Sequence, residues 1–583
     1  MRSFFKFFFA SLLSLIIFFL LVVFFLAALA GNLTSKEREP VEAKSVLVLN
    51  LSQQFQEQAQ EDAVGELVNR GESTTPGLYD AIRLIRYAET DKNIAGIYLI
   101  AEANANGFAS SDELRNALLH FKTSRKFIIA HGDGITQKAY FVASVADRIY
   151  ANPVGGLEWS GFSAELFFIK GALDKLGIQP QIFYAGKFKS ATEPLRVDKM
   201  TPENKLQTTE WLGDLYNYFL VRCAEARQLD TATLHNLANT AAIQTTADAV
   251  SAHLLDAAKY DDEVKDEFKK RLNLGKYDKL NFVSLNAYDD AVDYAATGSE
   301  RIAIIYAEGD IVDGEGTRSN IGGDAFRKLI RKIRLDKSIK AVVLRINSGG
   351  GSALASENMW RELQLTKRDK PLVVSFGDVA ASGGYYMACG GDSIFASRNT
   401  ITGSIGVFGV LPNMQAFFNN KLGITFDGVK TAPYADAGAI YRPVTEVEKK
   451  FIQAGVDRTY AQFLTRVASG RKRDTAYINS IAQGRVWSGE DALKIGLVDK
   501  IGGLQDAIDC AARMGKLKSY RLREYPQQES WFSRFFAKAT PSPQAMIKEQ
   551  IGVQNFQIYQ QLVNVQQLCG GTQARLPYDF FIR

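Results

Sequence analysis

Two glycine-rich turns in the second half of this chain carry residue types suited to acyl transfer. One is Asn347-Ser348-Gly349-Gly350-Gly351-Ser352, directly after the apolar run Val342 to Ile346; the other is Ala380-Ala381-Ser382-Gly383-Gly384, after Val373 to Phe376. A hydroxyl at the start of a helix, flanked by glycines, can expose its Oγ. Backbone N–H groups point outward beside it, and the helix dipole favours developing negative charge there. Ser382 is therefore a candidate nucleophile, with the N–H of Gly383 and one from Gly350 or Gly351 as candidate oxyanion donors. The blander role for a serine before a helical run is to cap it. Neither turn fits GxxxxGK[ST] or GxGxxG, which argues against a nucleotide site.

A serine is a poor nucleophile until a base takes its proton. The four histidines, His120, His131, His235 and His253, all lie in the first half, and none sits in a glycine-rich turn. The alternative is a lysine buried deeply enough to be neutral, because desolvation lowers its pKa from about 10.4 towards the working range. Composition alone does not choose that lysine.

The elements that must hold these turns alternate between strand and helix. Arg301 to Tyr306, Lys340 to Ile346 and Pro371 to Phe376 are short apolar runs with the composition of buried strands. Asp324 to Ile333 and Ser356 to Leu365 carry apolar residues at helical spacing. Such alternation predicts a parallel sheet covered by helices.

The same unit occurs twice. Asp91-Lys92-Asn93-Ile94 returns as Asp336-Lys337-Ser338-Ile339, a shift of 245 residues. At that shift Gly132-Asp133 meets Gly377-Asp378, Tyr140 meets Tyr385 and Asp147 meets Asp392. Ser382 falls opposite Gln137, which cannot act as a nucleophile. The chain divides into an anchor over 1–31, a first repeat over 45–275, a linker over 276–300, a second repeat over 301–520 and an extension over 521–583. The linker is polar without a sustained helical stripe. The extension, with Pro541-Ser542-Pro543 and a Gln/Asn-rich stretch, reads as loosely packed.

From Phe7 to Ala30 there is no charge, and Arg2 and Lys6 precede the run. Such a stretch can cross a hydrocarbon core of about 30 Å as a helix with its N-terminus in the cytoplasm. Ala28-Leu29-Ala30 resembles a signal-peptide cleavage site, but the apolar run is longer than a signal h-region, which favours a retained anchor. Over the whole chain, 46% apolar and 23% charged residues describe a globular protein. A net charge of +5 with interleaved signs gives no reason to expect a nucleic-acid partner. Cys223, Cys389, Cys510 and Cys569 show no CxxC spacing and are expected as free, buried thiols.

Three blocks resemble the signatures of the signal peptide peptidase A (protease IV) family in its long, duplicated form. They are Asp378-Val379-Ala380-Ala381-Ser382-Gly383-Gly384-Tyr385-Tyr386, Ile401-Thr402-Gly403-Ser404-Ile405-Gly406-Val407-Phe408-Gly409 and Gly186-Lys187-Phe188-Lys189-Ser190-Ala191-Thr192-Glu193-Pro194. The resemblance runs from the anchor to about residue 515. It implies tandem α/β domains of ClpP/crotonase-like fold, with Ser382 as nucleophile, Lys189 as general base and Ser404 orienting the lysine. It further implies a serine endopeptidase of a bacterial inner membrane, with its catalytic domains in the periplasm and no metal or cofactor. Its substrates would be cleaved signal peptides and other unfolded apolar peptides, and its assembly a homo-oligomer, expected as a tetramer around an enclosed cavity. The repeat agrees with one composite site per chain: aligning Gly177-Ile178 with Gly423-Ile424 puts Lys189 opposite the region of Ala435, where no lysine stands. One departure is Gly349, where the family usually has proline, which loosens the turn carrying Gly350 and Gly351. Two rival functions follow from the same scaffold: a crotonase-like acyl-CoA enzyme, which a membrane anchor argues against, and an inactive peptide-binding scaffold, which the presence of both Ser382 and Lys189 argues against.

Overall fold

The computed structural model describes residues 40–61, 74–294, 298–317, 319–527 and 573–576, with residues 8, 11–15, 17–19 and 21 near the N-terminus. Most of the expected anchor lies outside the described residues. Among the described residues, no helix is long and apolar enough to cross a membrane.

In the second half, Glu300–Glu308 pairs in parallel with Ile339–Ser348, which pairs in parallel with Leu372–Ala381. Their period of two sorts the apolar residues onto two faces. Ala303, Ile305, Val342, Leu344 and Val374 join one core, while Ile302, Ile304, Ala341, Val343 and Val373 join another. The first core is closed by the helices Gly323–Leu335 and Ala353–Asp369 through Phe326, Ile330, Met359 and Leu363. The second is closed by Leu504–Met514 through Leu504, Ala507, Ile508 and Ala511. Burial on both faces explains why these strands read as nearly unbroken apolar runs.

The first half repeats the plan, with a six-stranded, wholly parallel sheet built around Ser45–Asn50, Ile94–Ile100, Phe127–Ile135 and Arg148–Leu157. The correspondence extends to single hydrogen bonds. Tyr140 donates its hydroxyl to the Leu254 carbonyl as Tyr385 does to that of Leu497, and Asp147 and Asp392 each accept from the first residue or its neighbour in an adjacent strand, Ile128 and Leu372. Each half also carries a 26-residue helix, Pro202–Arg227 and Glu446–Arg471.

A third sheet joins the halves. In order, it contains Asn320–Gly322, Asp310–Val312, Gly350–Ser352, Gln573–Arg575, Val407–Asn413 and Gln179–Ala185. Gln179–Ala185 belongs to the first half in sequence, yet it pairs antiparallel along its whole length with Val407–Asn413 of the second.

Two stretches differ from the sequence expectation. The region read as a linker, 276–300, carries the strand Phe282–Ser284 on the edge of the first sheet and the helix Leu285–Ala291, whose Leu285 and Tyr288 enter the first core. Of the extension, Pro541-Ser542-Pro543 and the Gln/Asn-rich stretch read as loosely packed lie outside the described residues, whereas Gln573–Arg575 forms a strand inside the third sheet and Tyr520–Tyr525 closes the edge of the second. Short elements with one or two anchoring side chains leave little periodicity to read. Cys223, Cys389 and Cys510 are buried and free; Cys569 lies outside the described residues.

Candidate active site

Lys189 follows the exchanged strand by four residues, so the pairing of Gln179–Ala185 with Val407–Asn413 delivers it to the second half. The turn between is fixed by Gly186, whose φ of +106° suits glycine and whose Cβ position would lie 2.5 Å from the Gln483 carbonyl carbon. Phe188 N–H donates to the Gln483 carbonyl at 2.8 Å. From the other side, Gln207 of the long first-half helix donates to the Phe188 carbonyl and Ser190 Oγ, and its own Oε1 accepts from Val486 N–H. Lys189 is thus held by both halves.

Ser382 stands between the strand Leu372–Ala381 and the short helix Gly383–Ala388. Its φ of +54° is a left-handed conformation that a non-glycine residue adopts at a cost, and it is held there by its N–H donating to the Gly403 carbonyl at 2.8 Å. Ser404, at φ +50°, is pinned similarly by donation to the Arg485 carbonyl at 2.7 Å.

These placements bring the three side chains together. Lys189 Nζ lies 2.9 Å from Ser382 Oγ, 2.9 Å from Ser404 Oγ and 3.0 Å from the Ser404 carbonyl oxygen. Lys189 is 1% exposed, and both serines are fully buried. Burial alone pushes the Lys189 amine well below the ordinary lysine range. In its neutral form such an amine holds a lone pair, which makes it a proton acceptor.

The candidate oxyanion glycines are also adjacent. A Cβ on Gly350, at φ +99°, would fall 2.6 Å from Gly383 N, so the two glycine turns meet only because neither carries a side chain there. Gly350 N–H donates to Ser348 Oγ at 3.1 Å, and Gly351 pairs in the third sheet. At the matching place in the first half, Gln137 is buried and bonds to Ser160 and Gly161 backbone groups, so its turn holds an amide where the second half holds Ser382.

Sequence reasoning did not single out Asp378, four residues before Ser382. Its carboxylate accepts from Ala109 N–H, Ser110 N–H and Ser110 Oγ at the start of the first-half helix Phe108–Phe121. It thereby ties the strand that precedes Ser382 to the other repeat. Nor did it find Arg345, fully buried between Glu57 and Glu113 of the first half. An arginine inside an apolar strand was the available signal.

The sequence profile of peptidase family S49 matches residues 120–275 and 364–518, one segment in each half. Protease 4 of Salmonella typhi is 36% identical over 81% of this chain and 78% of its own length. Protease 4 of Haemophilus influenzae is 32% identical over 84% of this chain and 82% of its own. The chloroplastic serine protease SPPA of Arabidopsis thaliana is 33% identical over 74% of this chain and 64% of its own. Matched by the family profile in both repeats and by relatives across most of its length, the chain belongs to peptidase family S49 and is a serine peptidase.

Proposed function

We propose that Ser382 and Lys189 form the catalytic pair of this peptidase, on a scaffold of the ClpP/crotonase kind. The observation that carries this reading is the 2.9 Å separation of Lys189 Nζ and Ser382 Oγ in a buried setting. A neutral amine has two N–H bonds and one lone pair. With its N–H groups directed to the Ser404 carbonyl and Ser404 Oγ, the lone pair is left for the Ser382 hydroxyl. Lys189 takes that proton as Ser382 Oγ attacks a peptide carbonyl. The resulting ammonium gives the proton to the leaving amine, and water then releases the acyl group with Lys189 again as base. Gly383 N–H and one N–H from Gly350 or Gly351 stabilise the developing oxyanion; in this structure Gly350 N–H donates to Ser348 Oγ and Gly351 is paired with Ala574.

The substrates in this reading are unfolded apolar peptides, including signal peptides left in the membrane after secretory cleavage. Uncharged residues 7–30 would anchor the chain beside them, with the catalytic domains in the periplasm. Exposed Phe167, Leu176, Leu422, Ile424, Phe426 and Val429 support burial in a homo-oligomer, proposed as a tetramer.

Two measurements test these parts separately. Wild type hydrolyses a fluorogenic apolar peptide, and Ser382→Ala abolishes the hydrolysis; an active Ser382→Ala variant moves the nucleophile elsewhere. Membrane fractionation followed by light scattering in mild detergent places the chain in the membrane pellet as a tetramer. Recovery in the soluble fraction would remove the anchor, and a monomer would remove the assembly.

A further inference from the structure

A peptidase must admit a peptide chain, yet Ser382, Lys189 and Ser404 are all buried. Part of the cover is the chain's own C-terminal segment. Gln573–Arg575 inserts antiparallel between Gly350–Ser352 and Val407–Asn413, with Gly350 opposite Arg575, Gly351 opposite Ala574, Ser352 opposite Gln573 and Phe408 opposite Gln573. Leu576 N–H donates to the Gly349 carbonyl at 2.5 Å. In an antiparallel ladder the hydrogen-bonded pairs recur every second residue, which makes Gly351 and Ala574 the next such pair. The Ala574 carbonyl oxygen therefore faces the glycines beside Ser382. It lies 2.2 Å from the Cβ position of Gly350 and 2.9 Å from that of Gly383.

The side chains alternate as those of a bound peptide strand do. Arg575 turns one way and pairs with Asp310 at 2.6 Å. Leu576 turns the other way and is buried with Phe108, Trp211, Leu215, Ala381, Ile401 and Val486, residues drawn from both halves. Gly349 suits this arrangement, because a Cβ there would come within 3.2 Å of Leu576 Cβ. Main-chain pairing supplies affinity in strand addition, and pockets for alternate side chains supply selectivity.

We propose that Gln573–Leu576 is a built-in competitor that occupies the substrate cleft as an added strand, so that peptide enters only when this segment leaves. The proposal rests on the cleft at Ser382 being the peptide site. Its position also assigns the pocket of Phe108, Trp211 and Leu215 as an apolar subsite. Because the segment belongs to the same chain, it competes without any concentration of its own.

The test uses the full chain, the chain ending at Thr572, and full-length Arg575→Asp, which sets a carboxylate against Asp310 without touching Ser382 or Lys189. The probe is a labelled synthetic peptide of residues 571–579, Gly-Thr-Gln-Ala-Arg-Leu-Pro-Tyr-Asp. In a Ser382→Ala background, where nothing is cut, the shortened chain binds the probe at least about tenfold tighter than the full chain, a difference of about 1.4 kcal/mol, with Arg575→Asp between them. With Ser382 present, shortening or Arg575→Asp lowers KM for the fluorogenic peptide and leaves kcat nearly unchanged. If the shortened chain does not fold, Arg575→Asp carries the same test. Probe binding that is equal with and without the segment, or absent from both, overturns the proposal. Probe capture without turnover in any form would remove the peptidase pair and keep the competitor; turnover indifferent to the segment would do the reverse.

Discussion

Lys189→Met lowers kcat/KM for an apolar fluorogenic peptide by about a thousandfold or more, as expected when one member of a catalytic unit is removed. Methionine fills similar space but accepts no proton, so the loss reports chemistry rather than packing. The variant's melting curve checks that the fold is intact. Ser404→Ala gives a smaller loss, about ten- to a hundredfold, because it removes one hydrogen-bond partner of the amine, worth about 1–3 kcal/mol when buried. Its KM stays near that of wild type. The pH profile separates the two roles. Burial lowers the Lys189 pKa, and in the proposed pair only the neutral amine acts as base, so wild-type kcat is expected to rise with pH through that lowered pKa and then level. Residual turnover in Lys189→Met lacks this limb, while Ser404→Ala retains it at a shifted midpoint. An acid limb that survives in Lys189→Met would assign the base to another residue.

The same shift acts on stability. At high pH the lysine is neutral in both folded and unfolded chains, and its charge adds no penalty. As pH falls below the unfolded value of about 10.4, the unfolded chain gains a proton that the folded chain does not, so stability declines until the folded pKa is reached. Below it both states are protonated and the penalty is constant. The fold therefore carries Lys189 at a cost, offset by the packing of two repeats around it.

The readable parts of this architecture are those set by local pattern. The apolar runs at Arg301, Lys340 and Pro371 become the central strands of the second sheet because burial on both faces demands continuous apolar sequence. The glycine turn at Ser382 was legible for a similar reason: few residues tolerate its geometry. What the pattern could not give was pairing across distance. Nothing within Gln179–Ala185 says that its partner is Val407–Asn413, yet that pairing carries Lys189 to Ser382. Lysine itself has no local signature of burial, and the role proposed for Lys189 was legible only through family resemblance. Gln573–Arg575 is harder still, since a three-residue strand held by main-chain pairing and one leucine leaves no period to detect.

Arg345→Met destabilises the chain by about 3–5 kcal/mol, because it leaves buried carboxylates without their counter-charge. Arg345 is fully buried in the strand Ile339–Ser348 and donates to Glu57 at 2.8 Å and Glu113 at 2.6 Å, both from the first half, and to Ser375 Oγ and the Phe376 carbonyl within its own sheet. Burial would lower its pKa, but the Glu113 and Glu57 carboxylates more than offset that, and it stays charged. Burial raises the Glu57 pKa, with Arg345 drawing it back only in part, and burial with the nearby Glu57 charge pushes Glu308 up to about 7. The sign of the pH dependence follows. Between the unfolded value of about 4.3 and a folded value near 7, the folded chain holds more of the Glu308 proton, so stability falls as pH rises through that window. Removing Arg345 leaves Glu57 and Glu113 unpaired and deepens the fall, whereas protonation at low pH relieves it. The gap in melting temperature between wild type and Arg345→Met is accordingly smaller at pH 5 than at pH 8. Arg345→Met combined with Glu57→Gln and Glu113→Gln recovers most of the loss, since removing a buried charge group as a whole is far milder than removing one partner. If the triple variant melts no higher than the single one and the gap does not change with pH, Arg345 holds the repeats together through Ser375 and the Phe376 carbonyl rather than through charge.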